Sequence, residues 1–598
     1  MFDQEEFMSG CRALSFLTLF ILISIGAWVQ SIGQEATDPF TGRPGNSVAP
    51  INIPNTDDHS SPHASEERML KFKSETVVVL VPAVVTDKSG NHIHHLTKKD
   101  FKLLENGKQQ RINTFEEVTA TSSRPAQITN PPGTFSNLPL NGQQPVSITV
   151  IALDTINTPF LDQSSGRKQL IKYLADKLNS EQGLGLVVIS SKGVKVLGGL
   201  NSDPGALVAA LKKAGGELSS METFGVDGKA LAAAEAQPSE LTGGISPGAD
   251  PGSRLRQFIL NADAVEGQYQ QQRAVEDTMK AFLAIAFSLS GIPGRKSLVW
   301  ATGSFPFVLD SPSAVPGGNL SLLYERTLQA LNDAQISVYP LDVRGLVGTS
   351  PMADATYSGD LSGPGFADAV AGRSGLQNST IASLKNFAEM TGGRAYYNNN
   401  DLAAGFKRAA DDSSSYYLLG YYADHHDTKP GWRKLQVQVA RPDVEVHART
   451  GFLVTNATID PELTRKADVD FALSSPFDST GIPVRLEWQP AAPDGDRKKI
   501  AFALHVPAAG VIDEADNNRF DLDFIAQTTK TGTPPANAAQ TVKGAIPDGA
   551  LAKIKAEGII YKNALELPPG SYQIRFVVRD NLSGRIGSVS APLAVNYR

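Results

Sequence analysis

At 598 residues the chain exceeds what one hydrophobic core organises, and roughly three or four domains is the expectation. Its 41% hydrophobic and 20% charged residues are those of folded protein, while 53 Gly and 37 Pro imply many turns and connections. A net charge of -7 supplies no basic field to gather phosphates, which excludes nucleic acid as the expected partner.

Residues 13–33 carry no charge, follow Arg12 and end in small residues before Gln34 and Glu35. Residues 1–33 therefore read as a signal peptide or, since the stretch is about long enough to span a bilayer, an uncleaved signal anchor. The expected location is secreted, periplasmic or cell-envelope, with membrane contact only through this segment if it is retained. Cys11 is the single cysteine and precedes the apolar stretch, so the remainder has no disulfide, Cys-zinc or thiol chemistry. Residues 34–75, rich in Pro, Asn, Ser and Asp, read as a disordered linker.

Residues 76–118 form an N-terminal β-rich domain. The β-branched run 76–86 is followed by the turn Asp87-Lys88-Ser89-Gly90, and a second strand at 100–105 meets Asn106-Gly107. Residues 119–145 read as a Pro/Asn/Ser linker. From 146 to 415, strands alternate with amphipathic helices: a strand at 147–153, a helix at 167–178, a strand at 297–301 and another at 336–341. A helix at 381–390 closes on Gly392-Gly393. This alternation gives the expected fold class, α/β with a doubly wound, mostly parallel sheet, flanked by β-rich domains. The Gly/Ala/Ser/Pro-rich stretch 215–267 reads as a flexible insertion. Residues 416–455 are again strand-like and are expected to pair with 76–118, leaving the α/β domain inserted between them. Short strands between Gly/Pro/Asp turns across 480–598 predict a C-terminal β-sandwich.

The central residues resemble a known family. Val84-Val85-Thr86-Asp87, Leu96-Thr97-Lys98-Lys99-Asp100-Phe101, Ile151-Ala152-Leu153-Asp154-Thr155-Ile156-Asn157-Thr158, Gly294-Arg295-Lys296-Ser297-Leu298-Val299, Ile336-Ser337-Val338-Tyr339-Pro340-Leu341-Asp342 and Met390-Thr391-Gly392-Gly393-Arg394-Ala395-Tyr396 are together similar to von Willebrand factor A-like domains, in the VWFA-related type of acidobacterial proteins. The resemblance covers about residues 76–455. It implies a binding domain of the adhesion or assembly kind. Such domains hold a divalent cation through Asp-x-Ser-x-Ser, a distant Thr and a distant Asp, leaving one position for a partner's carboxylate. In this chain Asp154 and Thr158 match the first and last ligands, Ile156 replaces a hydroxyl, and Thr302 stands in Ala301-Thr302-Gly303 where the distant acid is expected. The metal set is thus Asp154 and Thr158, a degenerate site; Mg²⁺ is the ion it would suit, and no cofactor is expected, because one carboxylate and neutral oxygens compensate poorly for its tightly held waters.

Three other motifs are weaker. His92, His94 and His95 sit by a turn, and Asp424-His425-His426-Asp427 lies between strands; both clusters read as solvent-exposed turns rather than Zn²⁺ or Ni²⁺ sites. Gly244-Ile245-Ser246-Pro247-Gly248 spells a nucleophile elbow but lacks a strand before it and a helix after it. No catalytic residues are expected. The sequence reading is an exported, non-enzymatic binding protein with a protein or cell-surface partner, the alternatives being a purely structural envelope scaffold or a hydrolase with an unrecognised site.

Overall fold

The computed structural model describes residues 77–119, 133–138, 147–176, 183–199, 203–218, 251–303, 305, 319–346, 364–423, 431–454, 461–489, 492–494, 497–514, 516–529 and 537–595. The N-terminal segment 1–33, the linker 34–75, His425, His426 and the Gly244–Gly248 motif lie outside them.

The first module begins with β1 (Val77–Asp87), β2 (Phe101–Glu105), β3 (Lys108–Gln110) and β4 (Thr114–Thr119). The short β5 (Thr134–Ser136) follows. The middle module contains β6 (Ile148–Asp154), α1 (Phe160–Asp176), β7 (Gly183–Ser190), β8 (Gly193–Gly198) and α2 (Pro204–Leu218). It continues with α3 (Pro251–Leu289), β9 (Lys296–Thr302), α4 (Asn319–Asp333), β10 (Ile336–Asp342), α5 (Pro364–Thr391) and α6 (Leu402–Ser414). The chain then returns to strands with β11 (Ser415–Ala423), β12 (Gly431–Val439), β13 (Val444–Ala448) and β14 (Gly451–Val454).

β1 pairs antiparallel with β11 and β13, and β11 also with β4, giving the sheet order β13-β1-β11-β4. A second antiparallel sheet has the order β14-β12-β2-β3. Strands from both sides of the middle module thus build one two-sheet unit. Alternation along β1 sends Val79, Val81, Ala83 and Val85 inward to meet Leu103, Tyr417, Leu419, Tyr421 and Leu435.

The middle sheet has the order β10-β9-β6-β7-β8. Every residue of β6, β9 and β10 is buried, because one apolar cluster covers one face through α3, α4 and α5, and another covers the opposite face through α1, α2 and α6. The closing Gly392-Gly393 does what its spelling implies: Gly392 takes φ 78°, and a Cβ on Gly393 would lie 1.9 Å from the Val338 carbonyl oxygen.

The last module contains α7 (Pro461–Ser474), β15 (Arg485–Trp488), β16 (Ala492–Asp494), β17 (Arg497–Val506), β18 (Arg519–Thr529), β19 (Asn537–Ala545), α8 (Asp548–Glu557), β20 (Ile559–Leu567), β21 (Gly570–Asp580) and β22 (Ile586–Val595). Its sheets, β16-β17-β15-β5 with β20 on β17, and β19-β18-β21-β22, close on a core that includes Phe502, Phe524 and Phe576.

Three expectations are corrected. The chain is not governed by a doubly wound, mostly parallel sheet: among the described residues strand outweighs helix, and four of the five sheets are wholly antiparallel. Among the described residues, parallel pairing links β10, β9, β6 and β7, with one isolated parallel bridge at Leu341 and Tyr396, and β8 returns antiparallel, because the two residues after Ser190 form a hairpin with no room for a crossover. The insertion 215–267 does not extend as expected, since residues 251–267 belong to the 39-residue helix α3; Leu255, Phe258, Ile259 and Ala262 recur at helical spacing. The linker 119–145 contains β5, which pairs with β15 of the last module.

Candidate functional site

The C-terminal ends of β6, β9 and β10 bring together the sequence-predicted residues. Asp154 ends β6 and is 2% exposed. Its Oδ1 accepts from the backbone N–H groups of Ile156 at 2.9 Å and Asn157 at 3.0 Å. Its Oδ2 accepts from Asn157 Nδ2 at 2.7 Å, Trp300 Nε1 at 2.9 Å and Thr302 Oγ1 at 3.1 Å. A carboxylate has about four lone-pair positions, so these donors saturate it. Burial pushes the Asp154 carboxyl up, while the hydrogen bonds from Asn157, Trp300 and Thr302 pull it back.

The loop after β6 folds around this carboxylate. Ile156, which departs from the hydroxyl pattern, is buried in the apolar cluster with Ala152 and Trp300. Asn157 donates also to Thr278 Oγ1 on α3 at 2.9 Å. Thr158 Oγ1 accepts from the Gly303 N–H at 2.9 Å. That bond needs glycine nearby: a Cβ on Gly303 would come within 3.0 Å of Pro159 Cδ and 3.1 Å of the Asn157 carbonyl. Gln163 Nε2 donates to the Thr158 carbonyl at 2.8 Å.

These residues do not fit a cation. The oxygens of Asp154 and Thr158 point at hydrogen-bond donors, and a metal would have to displace the side chains of Trp300, Thr302 and Asn157 and the backbone N–H groups of Ile156, Asn157 and Gly303 to reach them. Thr302, at the position of the missing acid, is itself one of those donors. Among the described residues no group of three His, Cys, Asp or Glu is placed to hold a metal.

Beside the clamp lies a cleft of about 20 Å³, room for about one water, lined by Leu153, Asp154, Thr158, Arg167, Ala301 and Val343 among others. Arg167, on α1, was not singled out in the sequence; an arginine in an amphipathic helix ordinarily reads as solvated surface. At the rim, Asp342 ends β10 and holds Arg344 through bonds of 2.9 and 2.8 Å. Asp162 is pushed up by burial, against the charge of Arg344.

At the opposite end of the sheet a buried polar network joins the middle module to the two-sheet unit. Arg295 donates to Tyr339 Oη and the Gly392 carbonyl, each at 2.7 Å, and Tyr339 donates to Asp412 at 3.0 Å. His92 Nε2 meets the other oxygen of Asp412 at 3.1 Å. The reading of the turn histidines as solvent-exposed is therefore corrected for His92, whose side chain is 16% exposed. His94 bonds Glu117, while the His95 side chain is exposed. Burial alone would raise Asp412, but His92, Arg295 and Tyr339 together hold it below the usual carboxylate range.

No protein-family model matches the chain, and no curated protein matches it. Among the described residues no helix is long and apolar enough to cross a membrane.

Proposed function

We propose that the protein is an exported, non-enzymatic binding protein that meets a protein or cell-surface partner at the loop edge formed by residues 154–163, without a metal ion. The single observation that carries this reading is the saturation of Asp154 by five internal donors. A carboxylate spent on positioning its own loop holds a recognition surface in one shape and is not poised for proton transfer or metal binding. The adjoining cleft, at about 20 Å³, is far below the several hundred Å³ of a small-molecule site, which favours surface contact over substrate turnover. The resemblance to von Willebrand factor A-like domains supports an adhesion or assembly role, and the apolar segment 13–33 supports export.

The test is a pull-down from envelope extract with residues 34–598 in the presence of a chelator. A partner retained by wild type and lost on Thr155→Arg, at the edge of the loop, supports the reading. Retention unchanged by Thr155→Arg, or lost with the chelator alone, sinks it.

A second reading, a purely structural envelope scaffold, is favoured by the ties between modules. Asp468 on α7 takes Arg326 of α4 through one oxygen and Arg579 of β21 through the other, which fixes the last module against the middle one. A scaffold would leave no partner sensitive to Thr155→Arg.

A further inference from the structure

The sheet β14-β12-β2-β3 turns one face onto the core it shares with β1 and β11 and the other to solvent. Alternation along β12 buries Leu435 and leaves Trp432, Lys434, Gln436 and Gln438 exposed on the outer face. β2 adds Lys102, opposite Gln438 in the register. Glu105, the acidic residue of β2, turns inward and accepts from Tyr421 Oη, so no carboxylate stands at an outward strand position of this sheet. In a chain of net charge -7 the two lysines make a local positive field.

Trp432 begins the row and is 38% exposed. Its ring rests on Gly451, which faces Lys434 from β14: a Cβ there would come within 2.4 Å of Trp432 Cε2 and 2.5 Å of Cζ2. Single exposed apolar residues are ordinary. What sets this one apart is the glycine, which marks a strand position where another group approaches the backbone closely and which here seats the indole in line with lysines and glutamines. A sugar ring carries C–H groups on its faces and hydroxyls at its rim. The C–H groups meet the negative face of an indole, the hydroxyls match amide side chains that both donate and accept, and ammonium groups answer carboxylate or sulfate. From Trp432 to Gln438 the row runs about 20 Å, the length of several sugar units. Tryptophan and lysine also suit an anionic membrane, but there the glutamine amides would lose water without gaining partners.

We propose that the outer face of this sheet binds an acidic polysaccharide along β12, with Trp432 stacking on a sugar ring and Lys102 and Lys434 meeting its charged groups. The face belongs to the two-sheet unit and does not depend on the loop 154–163.

The test is calorimetric titration of the full chain with tetragalacturonate and with a chondroitin sulfate tetrasaccharide, against cellotetraose, a glutamate peptide and vesicles of anionic phospholipid. Saturable heat with either acidic glycan, falling with added salt and weakened about tenfold both in Trp432→Ala and in Lys102→Gln with Lys434→Gln, is the expected result. All three side chains are exposed, so the variants keep the fold, and circular dichroism verifies it. No saturable heat with either acidic glycan, equal binding of cellotetraose, or unaltered affinity in both variants overturns the site. Tighter binding of the vesicles or of the glutamate peptide overturns it equally, assigning the face to a membrane or an acidic protein. Thr155→Arg leaves glycan binding unchanged, so this site and the loop reading fail separately.

Discussion

Replacing Asp154 with asparagine distinguishes a saturated buried carboxylate from an ordinary turn cap. Asparagine is nearly as good as aspartate at capping, so if the side chain served only the Ile156 and Asn157 N–H groups the change would cost a few tenths of a kcal/mol. In this structure one carboxylate oxygen faces two donors and the other faces three. Whichever way the amide is turned, its NH₂ confronts donors. Trp300 and Thr302 are both wholly buried, so water cannot replace the lost acceptor. Each orphaned donor costs about 1–3 kcal/mol, and because they share one acceptor the total is not their sum; about 2–4 kcal/mol is expected for Asp154→Asn and about 3–5 for Asp154→Ala. Both exceed the roughly 0.5–2 kcal/mol of a simple cap. Since a multi-module chain need not unfold in one step, the assay is urea unfolding read by Trp300 fluorescence with Trp28, Trp432 and Trp488 replaced by Phe. An Asp154→Asn cost below about 1 kcal/mol refutes the reasoning.

Lys296 opens β9 and is buried, its ammonium donating to the Ile292 carbonyl, and burial pulls it down to about 7. The native state then holds fewer protons than the unfolded chain between about pH 7 and the ordinary lysine value, so stability rises with pH across that window. At pH 7 the lost protonation amounts to about 5 kcal/mol, and Lys296→Met should stabilise by about 2–4 kcal/mol and flatten the slope; denaturation at pH 7 and 9 checks it, and a less stable variant at both values counts against it. His447 is held below its ordinary value by burial and by Arg394, which donates to its Nε2. Its contribution is present above about pH 6.5 and is lost as pH falls through the lower folded value, by at most about 1.4 kcal/mol per pH unit, and His447→Gln should remove that dependence between pH 7 and 5. Asp412, held low, contributes above its ordinary carboxylate value and loses that contribution below it. Asp412→Asn should therefore diminish the acid-induced loss of stability near pH 3, as followed by circular dichroism.

How much of this was legible depends on whether the signal is local. Strand β6 is an apolar run interrupted only by Thr149 and ending in Asp154, and its fully buried pattern follows from that spelling. The inward alternation of β1 is equally plain, while its neighbours β11 and β13, more than 300 residues away, are set by tertiary packing. The α/β alternation between 146 and 415 dominated the reading of fold class, although antiparallel pairing accounts for most of the strand content of the described residues; no local pattern reports whether a strand's neighbour runs with or against it. Strand β5 was hidden by the Pro/Asn/Ser composition around it, since three residues are too few to show a period. At the site, Asp154 and Thr158 were visible as residues, but their roles depended on Trp300 and Gly303, roughly 145 positions on. Ile156 carried the clearest local hint, because an isoleucine in place of a hydroxyl belongs in a core. Arg167 gave none: an arginine on an amphipathic helix reads as surface until the fold encloses its Nη1 beside Leu153 and Val343.

On the function proposed here, the loop after β6 is clamped by hydrogen bonds and works without a metal. Isothermal titration of the full chain with Mg²⁺ and with Mn²⁺ tests it most directly. A loop closed by hydrogen bonds alone gives no saturable heat with either ion, in wild type and in Asp154→Ala alike. Micromolar binding in wild type that Asp154→Ala abolishes would contradict it.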